Sequence, residues 1–69
     1  MAQYSVYIQY DTTDQIYVAS IPQLKGCMAH GATKELALKE LEKACLLWLD
    51  TAQDLGLDIP EPILFSRNG

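Results

Sequence analysis

The sequence predicts an α+β fold, a three-stranded antiparallel meander with one long helix packed across it. Two runs near the start, Tyr4–Tyr10 and Ile16–Ile21, alternate their side chains with the period of two that is typical of strands. From Lys34 to about Leu55, apolar residues recur at spacings of three and four, as on an amphipathic helix. A short apolar piece, Ile63–Phe65, adds the expectation of a C-terminal strand.

The first two strands are expected to form a hairpin. The segment between them, Asp11–Gln15, is polar and contains no glycine. Two-residue hairpin turns need residues that tolerate positive φ, so we expect a longer loop built around a type I turn. On the second strand, Ile16 and Val18 share one face, and Tyr17, Ala19 and Ile21 share the other.

The connector to the helix contains residues with special backbone properties. Pro22 lacks an N–H for a sheet ladder and is expected to end the second strand. Gly26 and Gly31 bracket a short third strand, Cys27–His30, and glycine tolerates the positive φ of a tight turn at each end. Thr33 has the side-chain oxygen needed to cap the helix that follows.

The helix has start and stop signals at both ends. Glu35 in the first turn complements the helix dipole, and Gly56 stands where a left-handed residue commonly ends a helix. The face expected to pack on the sheet comprises Ala37, Leu41, Ala44, Cys45, Trp48, Ala52 and Leu55.

Length and composition indicate one small domain. The chain has 69 residues, of which 49% are aliphatic, aromatic or cysteine, too many for a disordered chain. We assign residues 1–65 to the domain and expect residues 66–69 to be frayed. No leader and no apolar run long enough for a membrane span is evident, so a cytoplasmic location is expected. The net charge is −4 and the basic residues are scattered, which disfavours direct binding of nucleic acid.

No set of residues predicts catalysis, a metal or a cofactor. Cys27-x-x-His30 has half of a zinc-site spacing, but residues i and i+3 of a strand point to opposite faces. A structural cysteine and a turn-capping histidine are the preferred interpretation, and Cys27 and Cys45 are expected to be buried free thiols. Asp11 and Asp14 lie in a surface loop, away from core-facing positions where catalytic metal ions are held. A non-enzymatic role follows.

Leu46 and Leu47 lie off the core stripe of the helix, close to Asp50. One interpretation is a wide apolar stripe on a helix that is buried on two sides. The other is a surface for a partner or for a second copy of the chain. The sequence leaves both open.

The order of these features resembles the HicB-like antitoxin family. The resemblance covers Tyr4 to Pro62, and its motifs are Pro22-x-Leu24-x-Gly26-Cys27, Gly31-x-Thr33, the helix positions Ala37, Ala44 and Trp48, and Ile59-Pro60-Glu61-Pro62. It implies a partial RNase H-like fold, self-association into dimers or larger oligomers, and binding of HicA, a small basic ribonuclease toxin that degrades messenger RNA.

The chain departs from the family pattern in two places. Family members commonly carry glycine in the first hairpin, where this chain has Gln15. Many also append a C-terminal DNA-binding module, for which the residues up to Gly69 leave no room, so DNA binding is not carried over.

The leading hypothesis is therefore an antitoxin-like protein that occludes a HicA-type ribonuclease. The residues expected to face the partner are Asp11, Asp14, Leu46, Leu47 and Asp50. The two leucines fit a homodimer contact equally well. The alternative is a stand-alone oligomeric scaffold without a toxin, with a small molecule as a candidate ligand.

Overall fold

A computed structural model describes residues 4–61 and has the β-β-β-α order that the sequence predicts. Its strands pair antiparallel in the order β1-β2-β3, which confirms the meander and the α+β class. The expected strand at Ile63–Phe65 and the tail at 66–69 lie outside the described residues. The elements are β1 (Tyr7–Asp11), β2 (Ile16–Ser20), β3 (Met28–Gly31) and α1 (Lys34–Leu55).

The β1–β2 hairpin has the longer loop that the absence of glycine indicates. Asp11 pairs with Ile16, so residues 12–15 form the loop. The Asp11 carboxylate accepts hydrogen bonds from the backbone N–H groups of Thr13, at 2.9 Å, and Asp14, at 3.3 Å. Gln15 has φ 55°, the left-handed conformation in which glycine is the least strained residue. The departure from the family pattern therefore falls on a residue under backbone strain.

The third strand begins one residue later than predicted, because Cys27 belongs to the preceding turn. The Cys27 N–H donates to the Leu24 carbonyl at 2.8 Å, and the Cys27 carbonyl accepts from the Ile21 N–H at 3.1 Å. Ile21, Leu24 and Cys27 follow one another at intervals of three residues and are all buried. The connector is therefore a compact, hydrogen-bonded turn that contributes three side chains to the core.

The two glycines that flank β3 have different roles. Gly26 has φ 81°, as a tight turn requires. The prediction of positive φ is wrong for Gly31, which belongs to β3. A Cβ atom there would lie 2.5 Å from the Ala37 nitrogen and 2.8 Å from the Leu36 carbonyl carbon. Gly31 is needed because the end of the sheet approaches the helix backbone.

The helix begins and ends as predicted. Thr33 Oγ1 accepts a hydrogen bond from the Leu36 N–H at 3.1 Å, and Gly56 is left-handed with φ 68°. Ala37, Leu41, Cys45 and Ala52 are buried, as the core stripe predicts.

The prediction that Leu55 packs on the sheet is wrong, since 67% of this residue is exposed. The helix has 22 residues and is about 33 Å long, whereas β1 and β2 have five residues each and span about 17 Å. The last turns of α1 therefore extend beyond the sheet, where none of the described strands covers Leu55.

The helix lies over β3 and β2 and leaves β1 largely uncovered. Ala19 on the central strand is fully buried beneath it, while its β1 partner Ile8 is 37% exposed. Tyr10 packs edge-on against its partner Tyr17, with ring centroids 5.0 Å apart. The core is thus concentrated between β2, β3, the connector turn and α1.

Candidate partner-binding surfaces

The structure places the five predicted partner-facing residues in two separate regions. Asp11 and Asp14 lie at the hairpin end of the sheet, where the Lys34 ammonium is 5.8 Å from the Tyr17 ring centroid. The helix therefore starts beside the hairpin. Leu46, Leu47 and Asp50 lie at least three turns further along α1, about 20 Å from Lys34 along the axis. One compact site cannot include both groups.

The two carboxylates of the hairpin differ in their surroundings. Asp11 is half-buried and its carboxylate is engaged by the loop backbone, which gives it a structural role. Asp14 is exposed at the tip of the loop. Asp14 is therefore the one whose side chain is available to an approaching partner.

Leu46 and Leu47 are both exposed, at 64% and 67% respectively. The interpretation of a helix buried on two sides is therefore wrong for the single chain. Because neighbouring residues of an α-helix are rotated by about 100°, the two side chains point to different flanks of α1. Leu47 lines a groove against β3, and Leu46 lines none of the described grooves.

Leu46 lies between two carboxylates on the exposed flank. Glu42 precedes it by four residues and Asp50 follows it by four, so the three side chains form one row along the helix. Within residues 4–61, neither carboxylate forms an ion pair. We call these three residues the acidic ridge. It presents one apolar side chain flanked by two negative charges.

Leu47 lies between two grooves. The first, of about 550 Å³, lies between α1 and the connector turn, and we call it the tryptophan groove. Its walls include Gly26, Cys27, Leu47, Trp48 and Leu57. The Trp48 indole N–H donates to the Lys25 carbonyl at 3.0 Å, which holds the ring against the turn.

The second groove, of about 480 Å³, runs beside β3, and we call it the edge groove. It is lined by residues 28–30 of the strand and by Glu40, Lys43, Ala44 and Leu47 of the helix. The Lys43 ammonium lies 3.4 Å from a Glu40 carboxylate oxygen. The charges of Glu40 and Lys43 beside the edge groove therefore cancel.

The cysteines and the histidine do not form a chemical site. Cys27 and Cys45 are buried and free, as expected. Burial raises the pKa of the Cys27 thiol, and the nearby Cys45 raises it further, so the reactive thiolate is disfavoured. His30 lies within β3, paired with Val18, and the expectation of a turn-capping role is wrong. Among the described residues, no three metal-ligating side chains lie together.

The sequence places Leu46 and Leu47 off the core stripe, but it does not predict the grooves. Each groove is bounded by α1 on one side and by residues ten or more positions earlier in the chain on the other, so neither is visible in local periodicity. The lone tryptophan was a partial signal, because an indole N–H near the protein surface needs a hydrogen-bond acceptor. In the part of the chain that the structure describes, no helix has the length and apolar character of a membrane span.

A small β-β-β-α domain with apolar grooves and unpaired surface carboxylates has the features of a protein-interaction module. The chain belongs to the HicB-like antitoxin family of bacterial toxin–antitoxin systems, whose model matches residues 4–67.

A curated relative is similar over part of its length. The UPF0150 protein of Synechocystis sp. strain PCC 6803 is 48% identical over 44 residues, which cover 64% of this chain and 60% of that protein. The matched part therefore spans less than two thirds of the relative. No solved structure matches the chain.

Proposed function

We propose that this chain is an antitoxin-like protein that binds a HicA-type, mRNA-degrading ribonuclease and occludes its active site, without enzymatic activity of its own. The observation that supports this proposal is the acidic ridge. Glu42 and Asp50 have no cationic partner among the described residues, and a basic ribonuclease would supply one. Opposite surface potentials accelerate encounter and select the partner.

The ridge combines two kinds of interaction. Burying the exposed Leu46 side chain in a complex would contribute about 1.5–3 kcal/mol. The carboxylates on either side would orient the partner and exclude proteins of the wrong charge. An apolar contact surrounded by charges is the usual arrangement of a binding hot spot and its rim.

The hairpin carboxylates have a secondary role in this proposal. Asp14 lies near the start of the helix, away from Leu46 and Asp50, and its charge contributes to the field that attracts a basic partner. Asp11 acts indirectly, by holding the loop that carries Asp14. The proposal also includes a partial RNase H-like architecture, a cytoplasmic location and association of two or more copies.

The test is co-expression with a small, basic, histidine-containing protein of the HicA type, sought first among the reading frames next to this gene. We expect the chain to relieve the growth arrest that the toxin causes and to co-purify with it. Asp50→Lys should weaken the complex by about tenfold or more, equivalent to about 1.4 kcal/mol, mainly through faster dissociation. Persistent arrest together with failure to co-purify would contradict the proposal.

Asp14→Lys is the matched control, because it makes the same charge reversal at the other end of the molecule. We expect it to slow association at low salt and to leave the dissociation rate unchanged. If instead Asp14→Lys accelerates dissociation and Asp50→Lys does not, the hairpin is the contact site and the ridge is not.

A second candidate function is supported by the tryptophan groove. Its volume of about 550 Å³ lies in the range of small-molecule sites, and its walls are mainly apolar. Because Trp48 is the single tryptophan of the chain, its fluorescence reports directly on the groove. A saturable change in that fluorescence with an apolar small molecule, in a chain that binds no toxin, would favour the stand-alone scaffold.

A further inference from the structure

The outer edge of β3 has no neighbour among the described elements. The sheet order is β1-β2-β3, so β3 pairs only with β2 and half of its backbone N–H and C=O groups point away from the sheet. Exposed edges of this kind are templates for strand pairing with another chain. Met28, at the start of the strand, is 60% exposed.

The edge is continuous with an apolar flank of the helix. The edge groove lies between β3 and α1, and Leu47, 67% exposed, forms its far wall. Leu47 also lines the tryptophan groove, so one side chain links two apolar depressions. An occupant that covered Leu47 would bury parts of both.

Charge favours a second copy of the same chain as the occupant. The chain carries a net charge of −4, so two copies repel each other across most of their surfaces. At the edge groove the charges of Glu40 and Lys43 cancel, and the acidic ridge and Asp14 lie elsewhere. A twofold axis through the groove would also place Glu40 of each copy near Lys43 of the other, which is self-complementary.

We propose that two copies of this chain associate through β3, antiparallel edge to edge, forming a six-stranded sheet with the two α1 helices side by side and Leu47 at their contact. This inference rests on the self-association included in the proposed function, but not on toxin binding. It leaves Leu46 and the acidic ridge free on the opposite flank. The two leucines thereby belong to different interfaces.

The sizes of the side chains along the edge favour one register of the pairing. Directly paired residues of antiparallel strands face the same side of the sheet, so both helices then lie on the same side of the joined sheet. A register with Ala29 opposite Ala29 of the second copy satisfies this condition and places Met28 beside the other copy's His30. Ala29 packs against the core on the helix side, and its small side chain leaves room for the two helices. A register centred on His30 would instead place two bulky imidazole rings directly opposite each other.

The first test measures molecular mass in solution, with the two leucines as a matched pair. We expect the unmodified chain to have twice the 7.7 kDa mass of one chain at micromolar concentration. Leu47→Glu should reduce the mass to that of a monomer, and Leu46→Glu should leave it unchanged. Circular dichroism of each variant verifies that the helix remains formed. A monomeric unmodified chain, or equal effects of the two variants, would overturn the proposal.

The second test is disulfide formation across the axis. Ala29→Cys should form an intermolecular disulfide under mild oxidation, because paired residues of antiparallel strands have Cα atoms about 4.5–5.5 Å apart. Gln9→Cys, at the middle of the other edge strand, is the control and should remain a thiol. Cross-linking through Gln9→Cys instead would assign the interface to β1. Because no toxin is present in either test, failure of toxin binding does not affect their outcome.

Discussion

At Gly31 the last residue of the sheet meets the first turn of the helix. The sequence indicates that a glycine is needed there, but its local context suggests a turn rather than a close approach. The structure gives the physical reason, because a Cβ atom would lie 2.5 Å from the Ala37 nitrogen, a distance that backbone atoms cannot relax easily. Strand and helix must separate to admit a methyl group.

Gly31→Ala is therefore expected to reduce the free energy of unfolding by about 3 kcal/mol, the upper end for overpacking. Urea denaturation followed by circular dichroism measures the effect. Gly26→Ala is the control. The added methyl group there meets no atom within 4 Å, so only backbone strain of about 1 kcal/mol applies. If both variants lost the same free energy of unfolding, the close approach of Gly31 to the helix backbone would not be what makes Gly31→Ala destabilising.

Gln15 is the converse case, because it carries a side chain at a left-handed backbone position where glycine is the least strained residue. Gln15→Gly should raise the free energy of unfolding by about 0.5 kcal/mol, since relief of left-handed strain exceeds the added entropy of the unfolded chain. Thr12→Gly, in the same loop but without positive φ, should lower it by about 0.5–1 kcal/mol. Thermal melts of the two variants should therefore shift in opposite directions.

At the scale of elements, the helix was predictable because its signals are local. Thr33, Glu35, the apolar period and Gly56 lie within one continuous segment, and the structure reproduces the predicted bounds. The start of β3 was less predictable, because the Cys27 backbone is taken up by hydrogen bonds of the connector turn. Leu55 was misassigned since periodicity reports which face a residue occupies, but not where the opposing sheet ends.

Thr33→Ala should destabilise the domain by about 1 kcal/mol, because the Leu36 N–H loses its acceptor. Thr33→Ser keeps the hydroxyl and should retain most of the stability. Amide hydrogen exchange at Leu36 is the specific readout, with faster exchange expected in the alanine variant only. Unchanged exchange at Leu36 in the alanine variant would mean that the cap does not protect this amide.

At the scale of the whole molecule, the central fact is that one helix covers only part of one small sheet. Within residues 4–61 the fully buried large side chains are Ile21, Leu24 and Leu41, which form a small core. Domains of this size commonly gain stability from a partner. The exposed edge of β3 and the exposed Leu47 are where such a contribution is available.

The melting temperature should consequently depend on protein concentration. If two copies associate, a hundredfold rise in concentration stabilises each chain by about 1 kcal/mol and raises the melting temperature by about 5 °C. Leu47→Glu should abolish this dependence. Differential scanning calorimetry over a concentration series measures it, and a constant melting temperature for the unmodified chain would argue against association.

The sequence by itself determined the order β-β-β-α, the limits of the helix, the longer hairpin loop and the position of Leu46 and Leu47 off the core stripe. Each of these depends on interactions between residues near one another in the chain: side-chain period, capping hydrogen bonds and turn preferences. Only the tertiary structure decided that Gly31 touches the helix, that Leu55 extends past the sheet, and that the hairpin carboxylates lie beside the start of the helix, away from Leu46 and Asp50. It also separated Leu46 from Leu47, because the side of the helix on which β3 lies is set by packing between distant segments.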